Sequence, residues 1–202
     1  MTTVSIGVPN IKTEPRGIEH PPIIFYPAST YPHKNHITLI KAFIQLSGVD
    51  PDVRLVLIGA PGKAELKVRR AIEKSGLAER ISFLGRVTLE EKKEIFESAS
   101  ILAFPSEYEG FGIPVLESMS AGIPVVASRG TPAAKLLGNK ALTVNAYDVE
   151  GWVVALSKLL NDNDLRNRLV LEGFKQAREY TYQKSAQQLL ETWRKLITIR
   201  QK

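Results

Sequence analysis

The stretch that decides the fold is PSEYEGFGIPVLESMSAGIPVVAS, residues 105–128. The apolar run before it, residues 101–104, has the length of a buried strand, and Pro105 ends that strand because proline cannot donate to a central ladder. Pro114 suits the first turn of a helix, and the glycine of AGIP suits its end. Residues 124–127 then predict a second buried strand. The stretch therefore predicts one strand–helix–strand step with a polar loop at the carboxyl end of its first strand.

This polar loop is where we expect a ligand. Backbone N–H groups at a helix start lack intrahelical partners and carry partial positive charge, so they attract phosphate. Gly110 and Gly112 let a ligand approach the backbone closely. Glu109 and Glu117 lie eight residues apart and suit hydrogen bonds to sugar or ribose hydroxyls beside the phosphate. From the residues alone, acids that only complement the helix dipole remain an alternative, because the dipole favours them by about 0.3–1 kcal/mol.

EGFGIPVLE, bounded by Glu109 and Glu117, resembles the E-x7-E signature of the retaining group 1 (family 4) glycosyltransferases. Its flanks are similar to the same family, and a weaker similarity extends over about residues 23–197. The resemblance implies the two-domain GT-B fold, with a catalytic cleft between two Rossmann-like halves, and places this motif in the C-terminal, donor-binding half. It also implies transfer of a hexosyl unit, with retention, from a UDP- or GDP-linked sugar to a saccharide or lipid-linked saccharide acceptor.

The composition is that of an ordinary globular domain, 44% hydrophobic and 24% charged. The absence of cysteine excludes disulfides, thiolate metal sites and cysteine nucleophiles. No apolar run approaches the roughly 18 residues that a membrane span needs, and no signal peptide is visible, so we predict a cytoplasmic protein. The net charge of +6 suits an anionic ligand or peripheral contact with an acidic membrane face, although a solvated basic surface explains it equally well. Without a nucleic-acid-binding motif, we expect no nucleic-acid partner.

The order of apolar segments predicts an α/β fold, a doubly wound Rossmann-like domain of about six mostly parallel strands with C-terminal helices. The predicted strands are residues 23–28, 53–59, 81–85, 101–104, 124–127 and 141–144. The predicted helices cover residues 36–46, 63–75, 148–160 and 164–178, with further helices after the Thr88–Glu91 capping box, from Pro114 and from Thr181.

The strand order 3-2-1-4-5-6 puts strands 1 and 4 side by side, at the point where ligands bind such sheets. The loop after strand 1, STYPHKN, and the loop after strand 4, SEYEGFG, are the two most polar loops of the chain. We therefore predict that they converge on one crevice, and this expectation does not depend on the family resemblance.

The domain limits follow from composition at both ends. Residues 1–22 contain VSIGVPN, which resembles the exit of an N-terminal half, followed by a polar, proline-bearing linker. We expect the Rossmann-like domain over residues 23–180 and, in residues 181–202, a helix that crosses back onto an absent N-terminal half; folding onto its own domain or dimerisation are the alternatives. Because that half would bind the acceptor, we expect this chain to bind nucleotide but to turn over little alone.

The resemblance assigns roles to individual residues. Lys34 and Glu109 are the predicted catalytic residues: Lys34 stabilises the leaving diphosphate in a front-face mechanism, and Glu109 contacts the donor sugar's hydroxyls. Ser29 stands where the family commonly has an arginine. Arg86 is a candidate to replace its charge, and an ordinary surface arginine is the equally good alternative. Glu117 is expected to hold the ribose hydroxyls, and residues 111–113 to offer backbone N–H groups. The predicted donor-binding residues are Ser29, Arg86, Gly110, Phe111, Gly112, Ile113 and Glu117.

One further departure from the family pattern, one alternative enzyme class and one pair of histidines remain. Ala133 follows Pro132 where the family usually has a glutamate, which leaves the donor base open and keeps a non-catalytic nucleotide-binding module as an alternative. A GT-B epimerase or phosphorylase is a further alternative, against which the E-x7-E match argues. His33 and His36 lack a carboxylate or thiolate partner, so they make a poor metal site, and we expect neither a metal nor a cofactor.

Overall fold

The structure is a computed structural model that describes Val8 and residues 14–15, 17–138 and 141–200. Much of the predicted linker, residues 1–7, 9–13 and 16, lies outside the described residues. That residues 1–22 form an interdomain linker therefore stays a prediction. Val8 itself is buried and forms an isolated parallel bridge with Thr181, and its N–H donates to the carbonyl of Tyr180 at 2.8 Å.

Six parallel strands form one sheet in the order β3-β2-β1-β4-β5-β6, which confirms the predicted topology. Strands β1 and β4 pair directly, with Ile24 opposite Ile101. Every residue of β4 and β5 is buried, as is typical of parallel strands that helices cover on both faces. The strands are β1 (Ile23–Pro27), β2 (Arg54–Ile58), β3 (Ile81–Gly85), β4 (Ile101–Phe104), β5 (Val125–Ser128) and β6 (Leu142–Val144).

Eight α-helices connect and follow the strands in the described part of the chain, and a short 3-10 turn (Pro32–Lys34) precedes the first of them. Their bounds differ from the predicted ones by up to three residues. The helices are α1 (His36–Val49), α2 (Glu65–Ser75), α3 (Leu89–Ser98), α4 (Ile113–Ser120), α5 (Pro132–Leu137), α6 (Val149–Asn161), α7 (Asn163–Ala177) and α8 (Tyr182–Arg200).

The 3-10 turn and helix α5 are the two elements that the sequence reading missed. No helix is predicted for the segment of α5, which contains the departure from the family pattern at Ala133. Its start signals are nevertheless present: Thr131 accepts a hydrogen bond from the backbone N–H of Ala134, and Pro132 occupies the first turn. The predicted capping box of α3 is confirmed, since Thr88 and Glu91 each accept from the other's backbone N–H.

The helices lie on both faces of the sheet. The connections run in one direction from β1 to β3 and in the opposite direction from β3 to β6, and right-handed crossovers therefore place α1 and α2 on one face and α3 and α4 on the other. Helix α1 contacts α2 and α6, whereas α4 contacts α7. Phe96 of α3 packs edge-on against Phe25 of β1, with ring centroids 5.0 Å apart. Consequently, α3 and α4 share a face and both begin at the carboxyl edge of the sheet.

Helix α8 keeps its predicted apolar face exposed. The apolar side chains at 189, 190, 193, 196 and 197 are 39–59% exposed, including that of Trp193. The alternative in which this face folds onto its own domain is therefore wrong for these side chains; contact with a further half or a second copy stays a prediction. Among the described helices, none combines the length and apolar character required to cross a bilayer.

Candidate functional site

A crevice opens at the carboxyl ends of β1 and β4, where the two polar loops meet as predicted. It has a volume of about 510 Å³. The first loop contributes Ser29 and Lys34, and the second contributes residues 109–114. The structure thus brings seven of the nine predicted site residues into one concave surface: Ser29, Lys34, Glu109, Gly110, Phe111, Gly112 and Ile113.

A second recess adjoins the crevice and shares Ser29 with it. This recess extends along the ends of β2 and β3 to Arg86 and Val87. Arg86 is exposed at the end of β3. Arg86, the candidate to replace the missing charge, therefore lines the same recess as Ser29.

Lys34 and Glu109, the two predicted catalytic residues, form an ion pair with Nζ and Oε1 2.7 Å apart. Both side chains are largely buried, 17% and 11% exposed. The sequence reading assigned them to different parts of a ligand and did not predict that they would pair. A lysine ammonium carries three donors, so this contact leaves two for a bound anion.

Hydrogen bonds to the backbone fix the position of Lys34. The Tyr26 hydroxyl donates to the Lys34 carbonyl at 2.7 Å and lies 2.7 Å from the Ser106 Oγ. Burial raises the pKa of Tyr26, so the hydroxyl remains protonated and able to donate. The backbone N–H of Glu107 donates to the His33 carbonyl at 2.8 Å. These bonds tie the loop after β1 to the loop after β4.

Asn35 connects the same two loops to a third. Its backbone is left-handed, with φ of 53°, a conformation that asparagine tolerates better than most residues. Its Nδ2 donates to the carbonyl of Ala146 at 2.7 Å and to that of Pro105 at 3.4 Å, while its Oδ1 accepts from Thr38. The sequence reading missed Asn35 and Tyr26; the signal for Tyr26 was a hydroxyl within an otherwise apolar buried strand.

The amino end of α4 faces the crevice without a side-chain cap. Gly112 is its N-cap residue and has no side chain that could accept from the helix N–H groups. Pro114 lacks an N–H, so the donors at this end are those of Gly112 and Ile113. The Phe111 ring makes an edge contact with Tyr180 at 5.7 Å, so Phe111 would contribute to a ligand through its backbone.

Gly112 also sits directly against Ala133 of α5. Its φ of +96° is a conformation that residues with a side chain rarely adopt, and a Cβ there would lie 2.8 Å from the Ala133 Cβ. Ala133, at which the sequence departs from the family pattern, is fully buried. Ala133 therefore packs directly against the loop that forms the amino end of α4.

Glu117, a predicted donor-binding residue, is not among the residues that line the crevice or its neighbouring recess. Both of its carboxylate oxygens accept from Lys92 of α3, at 2.7 and 2.9 Å. The sequence reading missed Lys92 because it considered only the buried face of α3.

The two histidines of the first loop have separate surroundings. His36 is buried, and its ring lies 4.8 Å from that of Tyr26. Burial, and to a lesser degree the charge of Lys34, lowers the pKa of His36 to about 4. His33 instead stacks on Tyr31. Within the described ranges, no group of three histidine, cysteine or acidic side chains is arranged to hold a metal ion.

We expect Gly112→Ala to lower the free energy of unfolding by about 1–3 kcal/mol, because alanine is strained at this φ and its Cβ meets Ala133. Urea unfolding measures the loss. Gly110→Ala is the matched control in the same loop, since no heavy atom outside the adjacent residues lies within 4 Å of a Cβ there. Equal losses in the two variants would contradict this account of the loop.

We expect the chain to lose stability as the pH falls from about 6.5 to 4. In this window the unfolded chain protonates His36 whereas the folded chain does not, so protons favour unfolding. A pKa lowered from 6.5 to about 4 corresponds to a contribution of up to about 3 kcal/mol. Urea unfolding between pH 4 and 7.5 should show this slope in the wild type and in His33→Gln, and a flatter one in His36→Gln. The same slope in both variants would assign the effect to other groups.

The chain is similar in sequence to several known proteins. The family described as "Glycosyl transferases group 1" matches residues 9–176. The chain is 33% identical over 156 residues to D-inositol 3-phosphate glycosyltransferase of Corynebacterium urealyticum, covering 74% of this chain and 37% of that protein. It is 29% identical over 173 residues to O-antigen chain mannosyltransferase B of Escherichia coli, covering 85% of this chain and 45% of that protein. The chain thus spans less than half the length of these relatives.

Solved structures resemble the fold over a similar share. Sucrose-phosphate synthase from Thermosynechococcus elongatus superposes with a TM-score of 0.78 at 24% identity, over 88% of this chain and 46% of that chain. The Anabaena protein HepE, in complex with UDP and glucose, gives a TM-score of 0.78 at 21% identity, over 86% and 48%. The described domain has the fold of one half of such GT-B enzymes, and with the family match over most of its length, the chain belongs to the group 1 glycosyl transferase family.

Proposed function

We propose that this chain is the donor-binding half of a retaining hexosyltransferase that uses a UDP- or GDP-linked sugar and needs no metal or cofactor. One observation carries the proposal: Lys34 and the uncapped amino end of α4 line the same crevice. A lysine and a helix amino end are two independent attractors of phosphate, and a diphosphate has the charge and length to engage both.

The other side chains of the site are proposed to bind different parts of the donor. Glu109 lies beside Lys34 in the crevice and suits the hydroxyls of the transferred sugar. When the diphosphate arrives, Lys34 keeps its contact with Glu109 through one donor and turns the other two to phosphate oxygens. Arg86, in the recess beside Ser29, adds positive charge at the place where the family commonly has an arginine. Glu117 binds the ribose hydroxyls.

The reaction requires no covalent enzyme intermediate. The bond from the sugar's anomeric carbon to the diphosphate oxygen breaks, and the acceptor hydroxyl oxygen bonds to that carbon from the same face. The proton of the acceptor hydroxyl passes to the departing diphosphate oxygen. Lys34 and the N–H groups of Gly112 and Ile113 stabilise the negative charge that grows on the diphosphate.

The acceptor side belongs to a second Rossmann-like half. The relatives, which are more than twice as long as their matched share, are named for D-inositol 3-phosphate and for an O-antigen chain. The second name supports a saccharide or lipid-linked saccharide acceptor. We further propose a cytoplasmic location with peripheral contact to an acidic membrane face, which the net charge of +6 favours.

A second candidate is a non-catalytic nucleotide-binding module. The observation that favours it is the chemistry at two positions: Ser29 and Ala133 replace an arginine and a glutamate of the family pattern. The two candidates differ in whether any sugar is transferred when the acceptor half is present, since both bind nucleotide.

We expect calorimetric titration of the purified chain with UDP, GDP and ADP to show saturable binding, tightest for one of the three. Lys34→Met should weaken that binding by at least about tenfold, because a hydrogen bond to a charged group contributes about 1.5–3 kcal/mol. Thermal melts of the variant establish that it remains folded, since Glu109 loses its partner.

Lys41→Met serves as the control for this titration. Lys41 is an exposed lysine of α1 that does not line the crevice, so its loss should change the affinity by less than about twofold. Absence of binding by all three diphosphates, or equal losses in the two lysine variants, would contradict the proposed function.

A further inference from the structure

The ion pair between Lys92 and Glu117 joins the beginnings of two helices at the sheet edge that forms the crevice. Lys92 is the fourth residue of α3, and Glu117 is the fifth residue of α4. Val87, two residues before α3, lines the recess beside the crevice, and Ile113, the first residue of α4, lines the crevice itself. The pair therefore lies within one or two turns of both surfaces.

The geometry of this pair differs from that of an ordinary surface pair. Lys92 contacts both oxygens of Glu117, at 2.7 and 2.9 Å, and the two side chains are 34% and 24% exposed. Its ammonium also lies 5.4 Å from the centre of the Phe96 ring, which packs against the core. Lys93, the next residue, approaches Glu97 only to 4.0 Å, with side chains 77% and 57% exposed.

This arrangement leaves the carboxylate of Glu117 able to accept further hydrogen bonds. An ionised carboxylate offers about four acceptor positions, and Lys92 occupies two of them. The two that remain match the two donors of a vicinal diol. A carboxylate already fixed in one orientation also loses less side-chain entropy when it binds such a ligand.

We propose that Lys92 is a positioning residue that holds Glu117 for the two hydroxyls of the donor's ribose, and so sets a preference for ribonucleotides over deoxyribonucleotides. This inference rests on the proposed function, because it takes a nucleoside diphosphate to be the ligand of the crevice. Lys92 acts through Glu117 and does not itself touch the donor.

The test compares UDP with 2′-deoxy-UDP by calorimetry on the wild type, Lys92→Met and the matched control Lys93→Met. If the chain prefers guanine, GDP and 2′-deoxy-GDP replace this pair. The wild type should favour the ribose form by about tenfold, the effect expected of one hydrogen bond to a charged group. In Lys92→Met this ratio should fall to about threefold or less, because the carboxylate is no longer held. Lys93→Met should keep the wild-type ratio, and Lys92→Arg should restore most of it.

A merely structural role would weaken both ligands equally and leave the ratio unchanged, which would overturn the inference. A gain in UDP affinity in Lys92→Met would also overturn it, since Lys92 would then compete with the ribose. If the wild type binds no nucleoside diphosphate, that result contradicts both the proposed function and this inference. If the wild type binds and the ratio is insensitive to Lys92, only the inference falls.

Discussion

The direct pairing of β1 with β4 is the constraint on which the site depends. Because these strands are neighbours in the sheet but distant in sequence, their loops leave the same edge and meet. The pairing alone does not determine how the loops are oriented. Tyr26 of β1 fixes that orientation, because its hydroxyl hydrogen-bonds both the Lys34 carbonyl of the first loop and the Ser106 hydroxyl of the second. Asn35 extends the same hydrogen-bonded network to the loop after β6.

Charge in this site is balanced before any ligand binds. Lys34 is neutralised by Glu109, and Glu117 by Lys92, so the two carboxylates and two ammonium groups form separate close pairs. A largely buried single charge is costly, and the pairing of Lys34 with Glu109 offsets part of that cost in the crevice. The pairs also leave donors on Lys34 and acceptors on Glu117, so that a phosphate and a diol can bind without breaking either pair.

The sequence predicts the fold well because its signals are local and mutually consistent. Alternating strand and helix patterns, with helix caps such as Thr88, specify the elements, and the doubly wound topology typical of such chains then predicts the sheet order. The side-chain pairs could not be predicted in the same way. Lys92 and Glu117 lie 25 residues apart on two helices, and only the packing of those helices against the sheet brings them together. The family pattern indicated which loops bind the donor, but not that Ala133 packs against Gly112.

A crystal structure of the chain with the nucleoside diphosphate that it binds would test the central claim most directly. We predict phosphate oxygens at about 3 Å from the backbone nitrogens of Gly112 or Ile113 and from the Lys34 Nζ, with the hydrogen bond from Tyr26 to Lys34 intact. The ligand should lie across the carboxyl ends of β1 and β4. A diphosphate bound elsewhere, for example beside Arg129 at the end of β5, would contradict the assignment of the crevice as the donor site.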